Sequence, residues 1–209
     1  MAKQRLKRVA PATVIPAVGR FRPRRRKNAK LRTREYLTPD EVNKLIKAAS
    51  GNRHGHRDST VVLITYRHGL RAAEVVDLRW SQVDLDNARL HVRRVKNGVP
   101  SVHPLKGDEL RSLRKLKREA ENSEYVFVTE RRSPFSTKGF ASLIERAGRA
   151  AGFKFGVHPH MLRHSCGYKL ASDGHDTRSL QAYLGHKNIQ HTVRYTEMSA
   201  TRFKDFWRD

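Results

Sequence analysis

His158-Pro159-His160-Met161-Leu162-Arg163-His164-Ser165-Cys166-Gly167 is the densest run of chemistry-bearing side chains in the 209-residue chain. Pro159 suits the first turn of a helix, where a missing N–H goes unmissed. The predicted helix covers 159–172 and ends near Gly174. Two more clusters of the same kind flank it. His68-Gly69-Leu70-Arg71-Ala72-Ala73-Glu74 lies upstream; Leu184-Gly185-His186 and Thr192-Val193-Arg194-Tyr195 lie downstream.

Helical signals dominate the intervening sequence. Thr38-Pro39-Asp40-Glu41 reads as a capping box opening a helix, with Val42, Leu45, Ile46 and Ala49 at helical spacing. Thr60–Tyr66 is an apolar run broken by His68-Gly69, and 71–80 is predicted to resume as a helix with Val75, Val76 and Leu78 inward. Leu90, Val92 and Val102 alternate with polar residues around Asn97-Gly98, a strong two-residue hairpin signal. Tyr125–Val128 is expected to add the third strand. Helices are further predicted over 105–121, 137–151, from Asp176 through Leu184, and from Gln190 past Tyr195. The expected fold is mainly α with a small three-stranded antiparallel sheet.

Composition narrows the function. Lys and Arg number 44 against 20 Asp and Glu, a formal net charge of +24. Residues 1–34 hold 13 of the basic residues and no acid, including Arg24, Arg25, Arg26 and Lys27, while 35–209 still carries an excess of +11. A basic arm on a basic body points to a polyanion, above all nucleic acid. The plain alternative is a targeting or solubilising tail. Pro11, Pro16 and Pro23 with no sustained apolar period predict an arm that is unstructured without its partner. No run approaches the ~18 apolar residues of a membrane span, and the basic start does not resemble a secretory signal. One cysteine, Cys166, excludes a disulfide scaffold and a cysteine-based zinc finger.

Two arginines, two histidines and a tyrosine suit the attack of a phenol on a phosphodiester. Guanidinium forks match the non-bridging oxygens of five-coordinate phosphorus and stay charged. Such preorganised donors contribute several kcal/mol each.

With these residues in order, the chain resembles the tyrosine recombinases (the phage integrase family) over about residues 36–200. The resemblance rests on Arg71-x-x-Glu74, a hairpin lysine at Lys96, His160-x-x-Arg163, Leu184-Gly185-His186, and Tyr195 nine residues after that histidine. The 158–167 stretch and the short chain look most like the fimbrial phase-variation recombinases. The resemblance implies metal-free and ATP-free strand exchange at specific sites in double-stranded DNA. Tyr195 would join the 3′ phosphate and release a 5′ hydroxyl. Arg71, Arg163 and His186 would hold the phosphate, His160 would assist the phenol proton, Lys96 would protonate the leaving oxygen, and Glu74 would orient Arg71. No cofactor is expected. A homotetramer on DNA, DNA-bending accessory proteins, and a bacterial cytoplasmic, nucleoid-associated location complete the expectation. Residues 1–35 are too few for the N-terminal clamping domain of larger members, so the arm would substitute for it electrostatically. Residues 201–209, with Phe203, Phe206 and Trp207 on one helical face, form a docking segment for a neighbouring protomer or fold back on their own core. Glu197 stands where many members place a histidine.

Blander assignments compete at each position. Arg71 and Glu74 form an ordinary i,i+3 surface pair on many helices. His158, His160 and His164 permit a histidine cluster for zinc but lack a clear carboxylate ligand. Residues 67–82 faintly resemble a helix-turn-helix. Arg94 and Lys106 lie close enough in sequence to replace Lys96. A recombinase-fold DNA-binding protein without strand exchange, and relaxation of the type IB topoisomerase kind, are the rival functions.

Overall fold

Thr38 caps the start of the first helix as its sequence predicts. Its hydroxyl accepts from the Glu41 N–H at 3.3 Å, and the Glu41 carboxylate accepts from the Thr38 N–H at 2.8 Å. The computed structural model describes residues 34–95, 98–119, 123–197 and Phe203; the arm with Arg24–Lys27, Lys96 and the remainder of 198–209 lie outside them. The described helices are α1 (Pro39–Ser50), α2 (Gly55–Arg67), α3 (Ala72–Val76), α4 (Gly107–Glu119), α5 (Thr137–Ala150), α6 (Pro159–Ser172), α7 (Thr177–Leu184) and α8 (Gln190–Glu197). None of them is long and apolar enough to cross a membrane.

The sheet is three-stranded and antiparallel, in the order β1 (Val83–Asp84), β2 (Arg89–Val92), β3 (Ser101–Pro104). Its third strand is therefore not Tyr125–Val128. That segment makes only two isolated bridges, Tyr125 to Arg79 and Val128 to Pro134. The hairpin also differs from expectation. Val92 pairs with Ser101, so residues 93–100 join the two strands where a two-residue loop was expected; Asn97 itself lies outside the described residues. On β3 the inward side chain is His103, buried to 1% exposure, while Val102 is 55% exposed. The predicted helix over 71–80 shrinks to α3 followed by a single 3-10 turn at Trp80–Gln82.

The main core lies where α1, α2, α5 and α6 meet, with Leu45, Ile64, Phe140, Ile144 and Leu162 excluded from water. A second, smaller core joins α6 to α7 and α8 through Tyr168, Leu180, Leu184 and Tyr195. Because α6 sits between the two, nine of its residues from Met161 to Ala171 are buried. Such a helix carries no amphipathic stripe. It is the floor on which the other chemistry-bearing segments rest.

A buried polar chain runs beneath the sheet. His103 Nδ1 lies 3.0 Å from His68 Nδ1, Ser101 Oγ lies 2.8 Å from His103 Nε2, and His68 Nε2 lies 3.1 Å from Glu109. Burial, reinforced by the neighbouring His68 and Arg94 charges, pushes the His103 imidazole from 6.5 down to about 3. The unfolded chain therefore takes up a proton below about pH 6.5 that the folded chain refuses, and stability falls as the pH drops from 6.5 towards 3. Each such histidine adds a slope of up to about 1.4 kcal/mol per pH unit. His103→Gln should remove about that much slope from urea-unfolding free energies measured between pH 6.5 and 4.5. An unchanged slope would show that His103 is not held neutral.

Candidate active site

Arg71 occupies the N-cap of α3, immediately after the tight turn at Gly69 (φ 56°). Its N–H donates to Glu74 Oε2 at 2.9 Å and its guanidinium to Oε1 at 2.7 Å. The same carboxylate accepts from Arg94 at 2.9 Å and from the Val95 N–H at 3.2 Å. Burial works to raise the Glu74 pKa. The Arg71 N–H and the charges of Arg94 and Arg71 outweigh it and hold the carboxyl below its ordinary value. Glu74 thus serves as a buried anchor, and Arg71 keeps a quarter of its side chain exposed.

Arg163 enters from α6 and is almost wholly buried at 1% exposure. Its guanidinium donates to the Gly69 carbonyl and, at 2.6 Å, to the Leu184 carbonyl. Burial, then the positive charges of Arg71 and Arg94, bring its pKa down to about 10, so it remains charged at neutral pH. The Leu184 carbonyl belongs to the last turn of α7, where helix acceptors lack intrahelical donors. Gly185 then takes the left-handed conformation (φ 63°, ψ 42°) that ends the helix. His186 follows, its Nδ1 2.8 Å from Thr192 Oγ1. Burial and the adjacent Arg163 and Arg71 push this imidazole down to about 3. It is neutral, and with Nδ1 engaged its Nε2 is left for another partner.

Tyr195 lies on α8 at 2% exposure, its ring near-parallel to His186 with centroids 6.4 Å apart. It packs on the backbone of α6 at Gly167, where a Cβ would approach the ring to 2.8 Å. Burial raises the phenol to about 12, against the lowering pull of Arg163 and Arg194. The phenol hydroxyl lies 2.8 Å from His164 Nδ1. Burial, followed by the charges of His160 and Arg194, drives His164 down to about 3. A neutral His164 thus shares a hydrogen bond with the phenol hydroxyl.

Of the sequence candidates, Arg71, Glu74, Arg163, His186 and Tyr195 converge. His160 is exposed on α6 and stands edge-on to His164, ring centroids 4.3 Å apart. His164, not His160, meets the Tyr195 hydroxyl. The i,i+4 spacing of His160 and His164 places both on one helix face, and the packing of α8 decides which of them the hydroxyl touches. Arg94 was also present in the sequence only as an alternative to Lys96. With its side chain fully buried and paired to Glu74, it cannot reach out to a leaving group. Among the described residues, no group of three His, Cys, Asp or Glu could hold a metal ion.

The phage integrase family model matches residues 35–202. The chain belongs to the phage integrase family. The type 1 fimbriae regulatory proteins FimE and FimB of Escherichia coli (strain K12) are 43% and 40% identical, over 83% of this chain and 91% and 90% of theirs. Tyrosine recombinase XerA of Thermococcus kodakarensis is 35% identical over 80% of this chain. In structure the chain resembles crystalline XerA recombinase (TM-score 0.71, 28% identity) and a lambda integrase dimer bound to a COC′ core site (TM-score 0.64, 25% identity). It covers 82% and 78% of itself in these matches but only 63% and 47% of the two structures. The helical fold with its small sheet is the tyrosine recombinase catalytic domain, and the chain is a tyrosine-type site-specific recombinase.

The contact between Gly167 and the Tyr195 ring yields a test. Gly167→Ala forces the ring out of its seat, and overpacking of this kind costs about 1–3 kcal/mol. The variant should bind DNA like the parent but form the protein–DNA adduct on a nicked duplex at least about tenfold more slowly. Parental adduct rates would show that the seat plays no part in catalysis.

Proposed function

We propose that this recombinase cleaves and rejoins specific double-stranded DNA sites through a 3′-phosphotyrosyl bond to Tyr195, of the kind that inverts a DNA segment controlling fimbrial expression. The observation that carries the proposal is the hydrogen bond between the Tyr195 hydroxyl and neutral His164, within reach of the Arg163 charge. The phenol oxygen attacks phosphorus, its proton passes to His164, and the bond from phosphorus to the 5′ oxygen breaks. Lys96, on the connection after β2, supplies the proton that the leaving 5′ oxygen needs. The phosphotyrosyl ester conserves the energy of the broken bond, so a second strand's 5′ hydroxyl reverses the step without a nucleotide cofactor.

Arg71, Arg163 and His186 suit the phosphate. Both arginines carry charge, and the neutral imidazole of His186 donates from Nε2 without adding a third cation. Residues 36–200 constitute the catalytic domain, and Arg24–Lys27 contact DNA phosphates. The dimeric and tetrameric DNA complexes of lambda integrase support a homotetramer on DNA, assembled in the bacterial cytoplasm and nucleoid with DNA-bending proteins as accessory partners.

A nicked suicide duplex carrying the recombination site tests the chemistry. The parent should accumulate a covalent adduct at the 3′ phosphate. Tyr195→Phe should form none while binding DNA within about threefold of the parent. Arg71→Lys and Arg163→Lys, which keep the charge but lose the planar fork, should cleave at least about 100-fold more slowly. An adduct persisting in Tyr195→Phe would move the nucleophile elsewhere.

Assembly is tested at the other end of the chain. Removing Thr201–Asp209 should leave a folded, DNA-binding protein that no longer forms synaptic complexes on native gels and recombines at least about tenfold less. Undiminished recombination would remove the tail from assembly, and a collapse in melting temperature would make it part of its own core.

A further inference from the structure

We propose that Arg94 is a positioning residue of the recombinase, holding the turn that bears Arg71 and the helix end that bears His186 in fixed register around the phosphate. This rests on the reading of Tyr195 as the nucleophile. Arg94 lies just past β2, and its side chain is fully buried. Its guanidinium reaches both segments at once. Towards the first it donates to Glu74 Oε2 at 2.9 Å, to the Gly69 carbonyl at 3.4 Å and to the His68 carbonyl at 3.3 Å. Towards the second it donates to the Tyr183 carbonyl.

These acceptors interlock with those of Arg163. Both arginines donate to the Gly69 carbonyl. One takes the carbonyl of Tyr183 and the other that of Leu184, the last acceptors of α7. Cations suit that end of a helix because its terminal carbonyls carry partial negative charge. Two guanidiniums therefore tie the C-terminus of α7, and with it the departure angle of Gly185-His186, to the turn preceding Arg71.

Two glycines make the space. A Cβ on Gly185 would come within 2.6 Å of Arg94 Cγ and 2.8 Å of its Nε. A Cβ on Gly98 would approach Arg94 Cβ to 2.7 Å and the Gly185 carbonyl to 2.8 Å. Gly98 thus lies directly over the Arg94 stem and against Gly185. Fold stability alone gives little reason for such a group. Burying a guanidinium is costly, and apolar replacements of buried ion pairs are often neutral or stabilising. A multidentate donor that must span fixed carbonyls is what arginine supplies and an apolar side chain does not.

The test uses the full chain and single-turnover cleavage of the nicked suicide duplex, read as the maximal adduct rate and the protein concentration giving half of it. Arg94→Lys keeps a cation but cannot span the carbonyls. Its maximal rate should fall at least about 30-fold while the half-saturating concentration stays within about threefold. Combined with Arg71→Lys, its loss should be smaller than the product of the two single losses, because both disturb one unit. Gly98→Ala crowds Arg94 without removing its charge, and should lower the maximal rate at least about fivefold with the same unchanged half-saturation. It provides the reading should Arg94→Lys melt. A parental maximal rate in Gly98→Ala, a defect confined to half-saturation, or fully multiplicative losses with Arg71→Lys would each overturn the proposal. Tyr195→Phe run in parallel forms no adduct if Tyr195 is the nucleophile, which separates a fault in that assignment from a fault in that of Arg94.

Discussion

One carboxylate governs the site. Glu74 accepts four hydrogen bonds, two from Arg71 and two from the chain just past β2. Its charge is the counterweight that lets cationic side chains crowd together before any phosphate arrives. Without it, Arg71, Arg94 and Arg163 would repel one another across a poorly solvated space, where like charges interact far more strongly than in water. The anchor also explains the exposure pattern. Arg71 retains a reach towards solvent, whereas Arg94 is committed to Glu74 and to carbonyls of the fold, and Arg163 gives one bond to each of two carbonyls.

Burial distributes the remaining charge states. His164 and His186 are both driven down to about 3, and Tyr195 is driven up to about 12. The histidines are therefore neutral and the phenol protonated at neutral pH. A neutral imidazole already stands beside the phenol, and among the described residues Arg71, Arg94 and Arg163 bring the site its positive charge. Those match phosphate geometrically and stay ionised over the working range. The division gives an anion-binding site whose strength is insensitive to modest changes in acidity.

Much of the fold was legible because its signals are local. The Thr38 box, Pro159 at the start of α6, Asp176 capping α7 and Gly185 ending it each depend on a few adjacent residues. The sheet was harder. Tyr125–Val128 has the composition of a strand, yet Val83–Asp84 reaches β2 through a short connection and takes the pairing. Val102 looked like the inward residue of β3, but the register places His103 inside, where Ser101 and His68 satisfy its nitrogens. Alternation cannot reveal that a buried position is polar when its partners come from distant segments. The same limit applied to the site. Arg71, Glu74, Arg163, His186 and Tyr195 sit at recognisable spacings, whereas the contact of the Tyr195 hydroxyl with His164 depends on where α8 lies against α6. Arg94 was hidden for a similar reason. On a hairpin connection an arginine is ordinarily solvated, and only contacts from distant segments, at Glu74, Gly69, Tyr183 and Gly185, bury it here.

Tyr195 is a core residue as well as the proposed nucleophile. Its ring fills the seat over Gly167 and contacts Tyr168 edge-on, so nearly all of its volume serves packing and a single oxygen serves chemistry. Loss of that oxygen alone would leave the surface, the fold and the affinity for DNA close to those of an intact copy. In any mixed assembly such a chain would take up a place it could not serve. Interference with functional partners, rather than simple absence, is the phenotype that this economy of atoms builds in.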